Sequence, residues 1–161
     1  MTAHIRRAIP ADAAAITAMI HGLARFERAA DQCTVLETQI STALFGNTST
    51  LRAHVAEVDG EVAAMALWFL SFSTWDGVDG VYLEDLYVRP RFRRLGLARG
   101  LLTALARECL DNGYTRLSWS VLNWNTDAIA LYEAVGGRPQ SEWTTYRLSG
   151  PELMELAAPR L

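Results

Sequence analysis

Five arginines, Arg89, Arg91, Arg93, Arg94 and Arg99, crowd one short segment of a 161-residue chain whose fifteen basic residues are all arginine. Within it runs Arg93-Arg94-Leu95-Gly96-Leu97-Ala98, with small residues two apart, at the foot of a stripe Leu97, Leu101, Leu105 and Cys109 spaced four apart. That spacing predicts a helix over about residues 94–110. The first amides of a helix have no intrahelical partners and lie at the positive end of its dipole. Gly96 and Ala98 let a bulky ligand reach those amides, and guanidinium forks add charge-assisted contacts, so the chemistry on offer is binding of a phosphate-like anion. A bare arginine cluster reads equally well as a solvated loop. Its position, after a strand and at the start of a helix, is where open α/β sheets take ligands. A dinucleotide fingerprint would need a glycine ahead of Gly96 and another three positions after Ala98, so a nicotinamide cofactor is disfavoured.

The missing lysines exclude a G-x-x-x-x-G-K-[ST] phosphate loop and a Schiff-base mechanism. No G-x-S-x-G elbow is present, and neither Cys33 nor Cys109 has an adjacent histidine, so a covalent relay has no obvious nucleophile. His4, His21 and His54 are too scattered for a metal motif, and no metal is expected. With 50% hydrophobic and 20% charged residues and a net charge of −3, the chain is neither disordered nor a polybasic nucleic-acid binder. The longest apolar stretch, residues 62–70, is too short to span a bilayer, and the N-terminus lacks an apolar signal region. A cytoplasmic protein of one domain over residues 1–161 is the expectation.

The elements that must position the arginine turn follow from pattern. A strand is predicted over residues 5–9, then a helix capped by Asp12 and bearing Ile16, Met19, Ile20, Leu23 and Phe26. Thr34 and Glu37 form a capping-box pair for a second helix carrying Leu36, Ile40 and Leu44 up to Gly46. Two β-rich runs over 53–72 flank Asp59-Gly60, the pair a type I′ hairpin prefers. A strand over 81–88 ends before Pro90, another covers 114–122, a helix covers 126–135, and a last strand is expected over 142–148 before a short helical turn. Strand, long helix, strand makes a right-handed crossover, so the strands flanking the long helix should be parallel neighbours in a mixed sheet of α/β or α+β class.

Arg93-x-x-Gly96-x-Ala98 resembles the Q/R-x-x-G-x-G/A acetyl-coenzyme A signature of the GNAT acetyltransferases, and the order of elements agrees along nearly the whole chain. Within that superfamily the chain is similar to the diamine (spermidine/spermine) N-acetyltransferases. The similarity runs through Leu23-Ala24-Arg25-Phe26-Glu27, Tyr82-Leu83-Glu84-Asp85-Leu86-Tyr87-Val88, Trp124-Asn125 and Tyr132. The resemblance implies a largely antiparallel central sheet with one parallel, splayed strand pair, flanked by helices. It implies that Leu86, Tyr87 and Val88 meet the pantetheine arm of acetyl-CoA, that Arg93, Arg94, Gly96, Ala98 and Arg99 surround its pyrophosphate, and that Asn125 bonds the cofactor arm. Asn125 serves equally well as a plain helix cap. It also implies a homodimer acting on a small-molecule amine.

The same resemblance makes Tyr132 the general acid; on spacing alone this tyrosine is a core residue of its helix. An alkyl ammonium has a pKa near 10.4, so presenting its neutral form at pH 7 costs about 4.6 kcal/mol, and a base must take the proton. Glu84 is the expected base, with Asp85 on the opposite face by strand alternation; a salt bridge is the bland alternative for Glu84. Glu27 and Glu84 would attract a cationic amine, and Phe26, Trp119 and Trp143 would wall its methylenes. The acidic position that the diamine pattern places just before its loop tryptophan holds Ser73 or Thr74 here, with Asp76 and Asp79 displaced beyond Trp75, which weakens a long polyamine as substrate and leaves a diamine or lysine-like amino acid. Acetylation of a protein N-terminus or an amino-sugar, and a non-catalytic CoA-binding module, are the competing readings.

Overall fold

In the computed structural model, which describes residues 2–159, five strands hydrogen-bond in the order β1-β2-β3-β4-β5. They are β1 (Ala3–Arg7), β2 (Arg52–Val58), β3 (Glu61–Ser73), β4 (Val78–Val88) and β5 (Leu117–Trp119). The first four pair antiparallel, and β5 pairs parallel to β4. The helices are α1 (Ala13–Phe26), α2 (Glu37–Phe45), α3 (Leu97–Asn112), α4 (Thr126–Ala134) and α5 (Gly150–Ala157). The mixed sheet with a single parallel pair is the predicted class. The chain divides into two compact units. The first runs to Asn125 and holds the sheet with α1, α2 and α3; the second, from Thr126, holds α4 and α5.

Asp59 and Gly60 both take positive φ, +49° and +86°, as a type I′ turn requires, so the β2–β3 hairpin forms where the sequence places it. Register then sorts the side chains. Arg6, Val55, Met65 and Tyr87 line up across four strands, and Ala53, Leu67 and Asp85 form the next row on the same face. That face packs on α1 and α2 through Ile16, Met19, Ile40 and Leu44, with Tyr87 against the cluster. Gly22 of α1 sits where a Cβ would lie 2.8 Å from the Tyr87 hydroxyl, so helix and strand approach closely because a side chain is missing. The opposite face is met by α3, whose Leu97, Leu101, Leu102, Leu105 and Cys109 are buried. Each such leucine contributes roughly 1.5–3 kcal/mol by leaving water.

Several predicted elements change. Asp12 is the N-cap residue of α1 as expected, but its carboxylate makes no cap hydrogen bond to that helix. It accepts from Arg6 Nη1 at 2.7 Å and from the Ile9 N–H at 2.8 Å. Burial alone would raise its pKa, and the hydrogen bonds and charge of its partners outweigh that and lower it. The second helix is capped by Leu36, with Gln39 reaching back to the Leu36 N–H at 2.9 Å, so Glu37 opens the helix instead of closing a box with Thr34. α3 starts at Leu97, three residues later than predicted, because Gly96 at its N-cap is left-handed with φ +75°. β5 covers three residues of the predicted 114–122, and residues 142–148 carry no strand. In that stretch Trp143 and Tyr146 are 71% and 91% exposed and, among the described residues, no ladder partner meets them.

Candidate active site

β4 pairs with β5 only at Val81, Tyr82 and Leu83. At the next residue β4 bulges: Leu67 of β3 faces Asp85 and Trp68 faces Leu83, which leaves Glu84 as the extra residue. A bulge bends its strand, and beyond this one β4 has no partner on its outer side among the described residues. The Arg89 N–H donates to the Ala63 carbonyl at 3.0 Å, so Val88 and Ala64 form a non-hydrogen-bonded pair. Leu86 and Val88 therefore turn N–H and C=O outward, while Tyr87 spends its own on β3. Of the three residues expected on the cofactor arm, two turn backbone groups to the open side of the strand and one does not.

The two acidic residues at the bulge differ in exposure. Glu84 is exposed, whereas Asp85 is half-buried in the row of Leu67, on the α1 face. Burial pushes the Asp85 carboxyl up to about 6, and the negative charges of Glu84 and Glu27 add to the shift. Glu27 closes α1, and desolvation of its carboxyl raises it as well, although the residue as a whole is exposed.

Arg89 and Arg91 of the cluster are structural, since both pair with Glu61 of β3. Arg93, Arg94 and Arg99 are exposed and make no ion pair among the described residues. Arg93 lies over the Phe26 ring at 5.3 Å, and its Nε donates to the Val88 carbonyl at 3.3 Å. Arg94 is left-handed with φ +67° and Gly96 follows with φ +75°, so the turn winds tightly into α3. A Cβ on Gly96 would meet nothing within 4 Å, so open space lies over the helix start, and Ala98 is half-buried on the first turn. Unpaired cations, helix-opening amides and that space fit a polyphosphate group.

Phe26 packs on Trp124 with centroids 5.7 Å apart, and Arg28 lies over Trp124 at 5.2 Å. In the sequence only the Trp124-Asn125 pattern signals Trp124, and nothing signals Arg28. Asn125 is half-buried just before α4, its N–H on the Leu122 carbonyl at 2.9 Å, and Trp119 ends β5 half-buried. In the second unit, Tyr132 is half-buried on α4 with its carbonyl accepting from the Gly137 N–H at 2.8 Å, and Trp143 is exposed.

Residues 19–136 match the family model described as Acetyltransferase (GNAT) family. The chain belongs to the GNAT acetyltransferases. This GNAT enzyme is 38% identical over 151 residues to thialysine N-epsilon-acetyltransferase of Caenorhabditis elegans, covering 92% of each chain. It is 35% identical over 164 residues to the Bos taurus protein of the same name, covering 95% of this chain and 96% of that one. Among solved structures, AAC(6')-Iy in complex with the bisubstrate analog CoA-S-monomethyl-acetylneamine shares the fold at TM-score 0.76 and 18% identity, covering 93% of this chain and 100% of that one. Family, fold and enzyme class thus stand as the resemblance implied.

Proposed function

We propose that this acetyltransferase moves the acetyl group of acetyl-CoA directly to the distal primary amine of a lysine-like amino acid or short diamine. The observation that carries it is the β4 bulge, which sets two carboxyl groups, Glu84 and Asp85, beside a strand edge free to take peptide-like amides. The likeness to thialysine N-epsilon-acetyltransferases supports the amine class. So does the loop after β3, where Asp76 accepts from Arg116 at 2.6 Å and from Thr115 at 2.8 Å. Those contacts hold its carboxyl below the ordinary range. A carboxylate already neutralised is a poor anchor for the second ammonium of a long polyamine.

Leu86 and Val88 by backbone, with Arg93, Arg94, Gly96, Ala98, Arg99 and Asn125, would hold acetyl-CoA, and Tyr87 contributes by supporting the strand. When bound, the co-substrate supplies an acetyl thioester. Glu27 and Glu84 draw in the ammonium, and Phe26, Trp119 and Trp143 line the methylene path. Asp85 is ionised at pH 7 yet binds a proton more tightly than an ordinary aspartate, which suits a group that takes the amine proton. Glu84 either shares that role or relays through water. Tyr132, whose phenol O–H is a proton donor, serves as general acid.

The family match runs unbroken across residues 125 and 126, which supports reading both units as one domain. Exposed Tyr146, Leu148, Leu153, Met154 and Leu156 in the second unit support a homodimer. No helix among the described residues is long and apolar enough to cross a membrane, in keeping with a cytoplasmic enzyme. The test is thiol release from acetyl-CoA with thialysine, lysine, ornithine, putrescine, spermidine, an aminoglycoside and an N-terminal peptide panel. Fastest turnover with the lysine-like amines is expected. Turnover only with peptides or amino-sugars, or tight coenzyme binding with no turnover at all, would replace the proposal with one of its competitors.

A further inference from the structure

α1 ends in a hydrogen-bonded turn in which the Glu27 N–H donates to Leu23, Arg28 to Arg25 and Ala29 to Ala24, at 2.8, 3.1 and 2.9 Å. The residue past such a helix end is left-handed and is usually glycine. Here it is Arg28, with φ +59°. The backbone therefore bears a strain that glycine would relieve, and it does so while keeping a guanidinium at this point.

That guanidinium lies over Trp124, its Cζ 5.2 Å from the ring centroid, and has no carboxylate partner among the described residues, although Glu27 is its chain neighbour. Arg6, Arg7, Arg89, Arg91 and Arg116, by contrast, are all paired. A guanidinium that rests on a ring and has no carboxylate partner keeps N–H groups with which to grip a carboxylate through two parallel bonds. A chain of contacts ties this cation to the catalytic strand. Trp124 packs on Phe26, Phe26 carries Arg93, and Arg93 bonds the Val88 carbonyl at the free edge of β4. The rest of the amine-binding surface is acidic, through Glu27, Glu84 and Asp85. The acceptor surface thus offers both signs of charge, a cation beside Trp124 and the carboxylates of Glu27, Glu84 and Asp85.

The geometry points to Arg28 as the residue that binds the α-carboxylate of the acceptor, making the enzyme selective for amino acids over diamines of the same length. This rests on the amine-acetylation reading and deepens it. An ω-amino acid matches both charges, with its ammonium toward the carboxylates and its carboxylate on Arg28. A diamine sets a second ammonium against the guanidinium.

Lysine with cadaverine, and ornithine with putrescine, differ only by that carboxylate. Steady-state kcat/KM for both pairs should favour the amino acid about tenfold or more in the parent, as a charge-assisted contact implies. Arg28→Gln should bring the ratio close to one, with the loss in KM for the amino acid and the KM for acetyl-CoA unmoved. Arg28→Gly, which suits the left-handed backbone, should lose the preference equally while melting no lower than the parent. Equal use of both amines by the parent, a ratio retained in Arg28→Gln, or a rise in the acetyl-CoA KM instead would each overturn the assignment. Acetylation of none of the four amines would overturn the underlying function together with it.

Discussion

At the scale of single residues, the pair Glu84-Asp85 separates into two environments that one strand position decides. Asp85 has an ordinary pKa near 3.8 and a folded value of about 6, so between those limits the native state holds the proton more tightly than the unfolded chain. Stability from this group is present below pH 4 and is lost as pH rises through 6. At pH 7 the ionised, half-buried carboxyl opposes folding, and Asp85→Asn is expected to raise unfolding free energy by up to about 3 kcal/mol, from roughly two pK units at about 1.36 kcal/mol each. Urea unfolding at pH 7 measures this. The same variant should lose about a hundredfold or more in kcat/KM and lose the acid limb near pH 6. If Glu84→Gln abolishes that limb and Asp85→Asn does not, Glu84 is the base. Gain in stability with loss of activity is the mark of a carboxyl kept for chemistry.

At the scale of elements, what sequence made legible was local. The type I′ hairpin at Asp59-Gly60, the α3 stripe and the Arg93-x-x-Gly96-x-Ala98 turn each depend on residues a few positions apart, and each formed. The bulge at Glu84 depends on how β3 meets β4, which no spacing within β4 encodes, so alternation alone could not announce it. Arg28 was illegible for a different reason: its helix end lacks the glycine that announces such a turn. Residues 142–148 alternate like a strand but have no ladder among the described residues, and β propensity reports fit to a pleated surface more than an intrinsic fold. The contact between α1 and β4 gives a test of packing. Gly22→Ala would gain helix propensity, but at this buried position its Cβ would lie 2.8 Å from Tyr87 Oη and 3.0 Å from Cζ. A net loss of about 1–3 kcal/mol is expected in chemical denaturation. A stabilised variant would mean that Tyr87 yields easily and does not fix the strand.

At the scale of the whole molecule, charge is divided by task. A chain of net charge −3 concentrates unpaired arginines at one helix start and carboxylates at a neighbouring strand bulge, matching a polyanionic donor and a cationic acceptor. With no lysine, it offers no side-chain amine to its own chemistry. On the other face of the sheet, buried His54 accepts from Trp68 Nε1 at 3.1 Å on Nδ1 and is pushed down to about 4 by burial and then by the charge of Arg7. Its unfolded value is near 6.5, so its contribution is present above that pH and is lost as pH falls toward 4, opposite in sign to Asp85. His54→Gln should therefore flatten the acid-side fall of melting temperature between pH 6.5 and 4, whereas Asp85→Asn should steepen it. An unchanged pH profile in His54→Gln would mean that the imidazole binds its proton as tightly in the fold as in the unfolded chain.

Direct transfer between two bound substrates is the step on which the proposed activity depends most. Mass spectrometry of protein and small molecules, after one turnover of acetyl-CoA with lysine or ornithine, examines it in a single sample. The predicted result is acetyl on the distal nitrogen of the amino acid, one free thiol per acetyl moved, and protein of unchanged mass at every time point. An acetylated protein that precedes product, or thiol release without an acetylated amine, would contradict it.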